Sequence, residues 1–176
     1  FSAPVILRQE QSDETRAFLL AHDTDPFNRW EANRALAQES LIASITGAEA
    51  GPDTAWLSAL LEVVKNAAQD PAYRALLLGL PSQSELAQAL HQRGVTPDPD
   101  SIHAAAEAHR QTRAELWQAD LPMLARETEV TAPFRPDAEQ AGKRALGSSL
   151  LAMQSRLDGG AAAQARRSQR RSCPWP

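Results

Sequence analysis

A chain of 176 residues can bury a core in one large domain or two small ones, and an Ala- and Leu-rich composition with only 5% aromatics favours helices over strands. The formal charge of −4 hides an asymmetry: Arg166, Arg167, Arg170 and Arg171 sit in an acid-free C-terminal stretch, and without them the body stands at −8. Such a body repels nucleic acid and anionic membranes, the single Cys173 permits no internal disulfide, and no apolar run reaches the ~18 residues of a membrane span. A cytoplasmic location without nucleic-acid or membrane partners is therefore expected. The chain starts at Phe1 with neither a methionine nor a signal segment, as an excised piece would.

FSAPVILRQ at 1–9 reads as one strand, with Val5 and Leu7 on one face and Ile6 on the other. A lone strand cannot stabilise itself, so it pairs with something outside the chain or lies against the helices as an arm. From Ser12 onward the pattern is helical, with helices expected at 12–21, 26–45, 53–68, 71–78, 83–92, 99–119, 121–129 and 136–157. Asp25-Pro26, Asp70-Pro71 and Asp98-Pro99 each put a capping carboxylate before a proline at the first helical position, where its missing N–H costs nothing. Ser82 and Glu85 have the spacing of a capping box. Gly51-Pro52, Gly79-Leu80-Pro81, Arg93-Gly94 and Ala132-Pro133 act as stops, and Leu121-Pro122 kinks or divides the long helix. The expected fold is all-α, built of stacked antiparallel helix pairs in a bundle or an α-solenoid. The last stretch, 159–176, is expected to be disordered or foreign to the fold, as a frameshift or cloning scar would be.

In DTDPFNRWEANRAL at 23–36, Phe27, Trp30, Ala37, Leu41 and Ile45 fall along one helical stripe, which makes Phe27 and Trp30 expected core anchors. Arg34 lies near that stripe, able to pair with an acid or stack on Trp30, while Arg29 projects elsewhere. The order of residues also resembles a known family. FSAPV at 1–5 and FNRWEA at 27–32 are similar to segments of the bacterial aminopeptidase N family, the zinc gluzincin aminopeptidases. Weaker matches follow in order: Leu80-Pro81-Ser82 with Glu85, Asp98-Pro99, and Arg144-Ala145-Leu146. Gly147-Ser148 depart from the basic residue and Asn that often follow in the family.

The resemblance implies a fragment, covering roughly 1–157. It makes 1–9 the last strand of a preceding β-sandwich domain and 10–158 the first part of a HEAT-like C-terminal helical domain that encloses the substrate chamber. The family removes N-terminal residues from peptides with a zinc held by an H-E-x-x-H helix and a later Glu, and grips the substrate amine with a G-A-M-E-N-like strand. None of these motifs occurs here. The implied parent is a zinc hydrolase, whereas this chain is expected to be inactive, with no catalytic, cofactor-binding or metal residue of its own. Its implied partners are the catalytic and β-sandwich domains of the same polypeptide, and peptides. Self-association is expected through the face that a missing next helix would cover, around 136–157. A free-standing helical-repeat interaction module is the alternative.

Residue chemistry alone adds little. His103, Glu107 and His109 in HAAAEAH look like a metal helix, but a turn of ~100° per residue sends the histidines apart. They are expected to be surface or helix-cap residues. His22 beside Asp23 and Asp25 is a weak ligand candidate, Cys173 an exposed thiol, and Gly159-Gly160 too short for a phosphate loop.

Overall fold

The structure, a computed structural model, describes residues 11–48 and 53–171, the last three as backbone only. The expected strand at 1–9, the Gly51-Pro52 stop and Cys173 lie outside the described residues. Within them all regular structure is helical: α1 Asp13–His22, α2 Pro26–Thr46, α3 Thr54–Lys65, α4 Pro71–Leu77, α5 Gln83–Gln92, α6 Pro99–Leu116, α7 Leu121–Glu127, α8 Ala138–Leu157 and α9 Ala161–Arg171. The all-α expectation holds.

Local chemistry sets the boundaries. Asp25, Asp70 and Asp98 each accept a backbone N–H in the first turn behind their prolines. Ser82 and Glu85 form the reciprocal capping box. Gly47 ends α2 in the left-handed region at φ 73°, where a side chain would be disfavoured. The long helix stops at Leu116, and Trp117–Asp120 make a turn before Leu121-Pro122 opens α7.

Helix α2 is the spine shared by two cores. Its first half joins α1, α3, α4, α7, α8 and the end of α6 around Leu36, Trp56, Leu57, Leu77, Trp117 and Leu150. Its second half meets α5 and the start of α6 around Leu41, Ile42, Leu86, Leu90 and Ile102. Each fully buried Leu contributes about 2 kcal/mol of transfer free energy. Helices α4 and α8 approach closely: a Cβ on Gly142 would lie 2.8 Å from the Ala72 backbone nitrogen.

Three expectations need correction. Phe27 is no core anchor: it is 60% exposed and tilts onto Trp30 (centroids 5.7 Å apart), because it sits in the first turn, at the end of the core. Trp30 itself is only half-buried. At the end of α6, Leu116 is exposed, and Trp117 takes the buried place. Residues 161–171 of the supposed structureless tail form α9, which packs on α8, with Arg166 Nη1 donating to the Gly147 carbonyl at 3.3 Å.

Candidate functional site

The polar side chains inside this stack are the first place to look for chemistry, and most of them close helix C-termini. The last carbonyls of a helix lack intrahelical partners and carry partial negative charge. Arg29, on α2, is buried and its Nε donates to the Leu20 carbonyl near the end of α1 at 2.8 Å, so it does not project elsewhere as the stripe suggested. Arg74 Nε does the same to Val64 at the end of α3 (2.6 Å) while its Nη2 pairs with Glu127. The end of α4 is closed twice, by Asn33 Nδ2 on Leu77 and by Arg113 Nη1 on Leu78, both at 2.9 Å. Asn33 also accepts the Trp56 indole N–H at 2.9 Å. Arg113 lies over the Trp117 ring, its Nε is buried without a partner, and burial pulls its pKa down to about 10.

His109 is the clearest miss. Expected at the surface, it is 2% exposed, 5.6 Å from the Trp56 ring, with Nε2 3.0 Å from Ser40 Oγ. A serine hydroxyl on a histidine is the core of a nucleophilic pair. Here, however, burial, aided by the nearby Arg113 charge, pushes the imidazole down to about 4, far below a base poised near neutrality. Ser40 also accepts the Asp53 backbone N–H at 3.4 Å, which ties the end of one loop to α2 and α6. The pair is a buried clasp. A sequence signal existed, since the 3.6-residue stripe of Ile102, Ala105, Ala106 and Ala114 includes position 109.

The other candidates are dispersed. His103 is exposed. Glu107 bonds Arg156 at 2.7 Å and Arg110 at 2.5 Å, and these guanidiniums, Arg156 first, hold its carboxyl below the ordinary range. His22 lies tilted against Phe18, ring centroids 4.7 Å apart, while Asp23 accepts from the Asp25 backbone N–H and the Asn28 side-chain amide, and Asp25 from the Phe27 backbone N–H. Gly159 and Gly160, at φ 63° and 92°, turn the chain from α8 to α9. Arg34 both pairs with Glu85 and lies over the Trp30 ring, as its position suggested. Among the described residues no group of three or more His, Cys, Asp or Glu could hold a metal ion, so these residues do not fit a zinc centre. No described helix is long and apolar enough to cross a membrane.

Two concave features stand out among the described residues. An apolar hollow of about 280 Å³ is lined by Pro26, Phe27, Trp30, Tyr73 and Leu76. A groove of about 640 Å³ runs between the 128–134 loop, α8 and α9, with Arg144, Arg166 and Glu129 as its charged side chains.

The family described as "Domain of unknown function (DUF3458_C) ARM repeats" matches residues 13–173. Aminopeptidase N of Caulobacter vibrioides is 38% identical over 149 residues, 83% of this chain and 17% of the relative. Aminopeptidase N of Escherichia coli K12 is 30% identical over 156 residues, 86% of this chain and again 17% of the relative. The chain thus spans about a sixth of the length of these curated relatives. Aminopeptidase A of Legionella pneumophila, solved in complex with aspartic acid, superposes with a TM-score of 0.77 over 93% of this chain and 20% of its own, at 20% identity. That likeness speaks to fold alone. The relatives agree with the resemblance carried by FNRWEA, and the match across nearly all the helices fixes the family: the chain belongs to the DUF3458_C family of ARM-repeat domains.

Proposed function

We propose that this chain is a non-catalytic helical wall of a zinc-dependent aminopeptidase, a hydrolase that removes N-terminal residues from peptides. The observation that carries the proposal is the use of the buried polar side chains: Arg29, Asn33, Arg74 and Arg113 are spent on helix ends. The similarity to a sixth of aminopeptidase N supplies the parent. In this reading no catalytic, cofactor-binding or metal residue belongs to the chain; zinc is held elsewhere in the parent. The wall limits access to the peptide chamber. Residues 1–9 end a preceding β-sandwich domain, and the helical domain starts at residue 10 and includes α9.

The partners are the catalytic and β-sandwich domains of the same polypeptide, in the cytoplasm. The hollow at Phe27 and Leu76, side chains 60% and 54% exposed, supports a seat for a neighbouring domain. Self-association of the separate chain, around α8, belongs to the same reading. The test is to express the whole protein encoded around this segment and assay it on alanyl-4-nitroanilide with and without a zinc chelator. Chelator-sensitive release of the anilide is expected. A purified, folded whole protein without such activity on any aminoacyl anilide would overturn the proposal.

A further inference from the structure

We propose that the groove between the 128–134 loop, α8 and α9 binds a carboxylate presented by a peptide, with Arg144 and Arg166 as its receivers. The body of this chain is acidic, yet the groove is lined by two guanidiniums and one carboxylate, Glu129. Among the described residues neither arginine is bridged to an acid. Arg144 Nη1 donates to the Gln140 amide oxygen at 3.2 Å, and Arg166 Nη1 to the Gly147 carbonyl at 3.3 Å. A guanidinium has five N–H donors in a planar fork suited to a carboxylate, so both retain donors after these neutral contacts.

The receivers are held in place from behind. The Arg144 guanidinium lies 5.0 Å from the centroid of the Phe134 ring, a cation–π contact that favours this position. Gln140, buried, accepts the Arg135 N–H at 3.0 Å and donates to the Pro133 carbonyl at 3.0 Å, pinning the loop that carries Phe134. Gly147 sits three residues, about 4.5 Å of helix, beyond Arg144. A Cβ there would lie 2.7 Å from Thr128 Oγ1 and 3.4 Å from Arg166 Nη2, so the missing side chain lets loop and α9 close on α8.

The occupant's chemistry follows from the lining. Two like charges facing one groove repel until an anion lies between them. Glu129 leaves the charged lining at a net single positive charge, which suits one carboxylate and disfavours an acidic run. Val130, Leu151 and Ala162 offer apolar surface for the residue that carries it. A peptide has two sources of such a group, its C-terminus and its acidic side chains.

The test uses the 176-residue chain and three acetylated tetrapeptides: Ac-Ala-Ala-Ala-Leu as the free acid, the same peptide as the C-terminal amide, and Ac-Ala-Glu-Ala-Leu amide. Binding is followed by amide chemical shifts, with circular dichroism confirming that every variant is folded. At least one carboxylate-bearing peptide is expected to shift 128–134, 144 and 166, and to bind at least about tenfold more tightly than the uncharged amide. Preference for the free acid identifies a C-terminus, and preference for the Glu peptide a side chain. Arg144→Gln and Arg166→Gln should each lose about tenfold in affinity, whereas Arg167→Gln, on an exposed part of α9, should not. Equal binding of all three peptides, no binding of any, or affinity unmoved by both groove variants overturns the assignment. The outcome is independent of whether the parent hydrolyses peptides.

Discussion

Acidification should unfold this chain partly through His109, and the size of the effect follows from its burial. The imidazole is 2% exposed and its pKa lies at about 4 against an ordinary 6.5. An unfolded chain therefore takes up a proton that the folded one refuses between these values, so stability is whole above pH ~6.5 and falls as pH drops toward ~4. Integrated over that window the loss is about 3 kcal/mol, of which about 2 kcal/mol has gone by pH ~5. Urea unfolding of the native chain and of His109→Gln at pH 7 and pH 5 isolates this share, since carboxylates elsewhere act equally on both. The native chain should lose about 2 kcal/mol more than the variant. Identical losses would mean that the histidine is solvated or charged in the folded state, and would refute the buried clasp with Ser40.

Gly142→Ala should force α4 and α8 apart, because the new Cβ meets the Ala72 backbone rather than a movable side chain, costing about 1–3 kcal/mol in thermal unfolding. Asn33→Leu should cost about 2–5 kcal/mol in urea unfolding, since it orphans both the Trp56 indole N–H and the Leu77 carbonyl in the core. Glu107→Gln should cost less than about 1 kcal/mol despite losing two arginine partners, because its ion pairs are partly solvated.

What the sequence made legible was the chemistry that acts within a few residues. The Asp-Pro pairs and Ser82/Glu85 announce their helix starts because a cap and its target are local in the chain. Periodicity placed Ala37 and Leu41 inside correctly, but it carries no information on where a core ends, so Phe27 in the first turn was assigned inward and lies outward. The buried roles of Arg29, Arg74 and Arg113 were not legible, because their partners, the ends of α1, α3 and α4, are supplied by packing between helices. Helix α9 was missed because Ala161–Arg171 has no apolar face beyond its alanines, and its contact with α8 depends on Arg166 and the bare backbone at Gly147. The Arg144–Arg166 groove was invisible for the same reason, since it joins residues from two helices and a loop.

The central claim is that this chain is wall rather than catalyst, and hydrolysis by the separate chain tests it most directly. Purified 176-residue protein, loaded with excess zinc and desalted, should retain far less than one zinc per chain and release no anilide from alanyl-4-nitroanilide above the buffer rate. Stoichiometric zinc with chelator-sensitive turnover would contradict the account, since it would require a metal centre that the described residues do not provide.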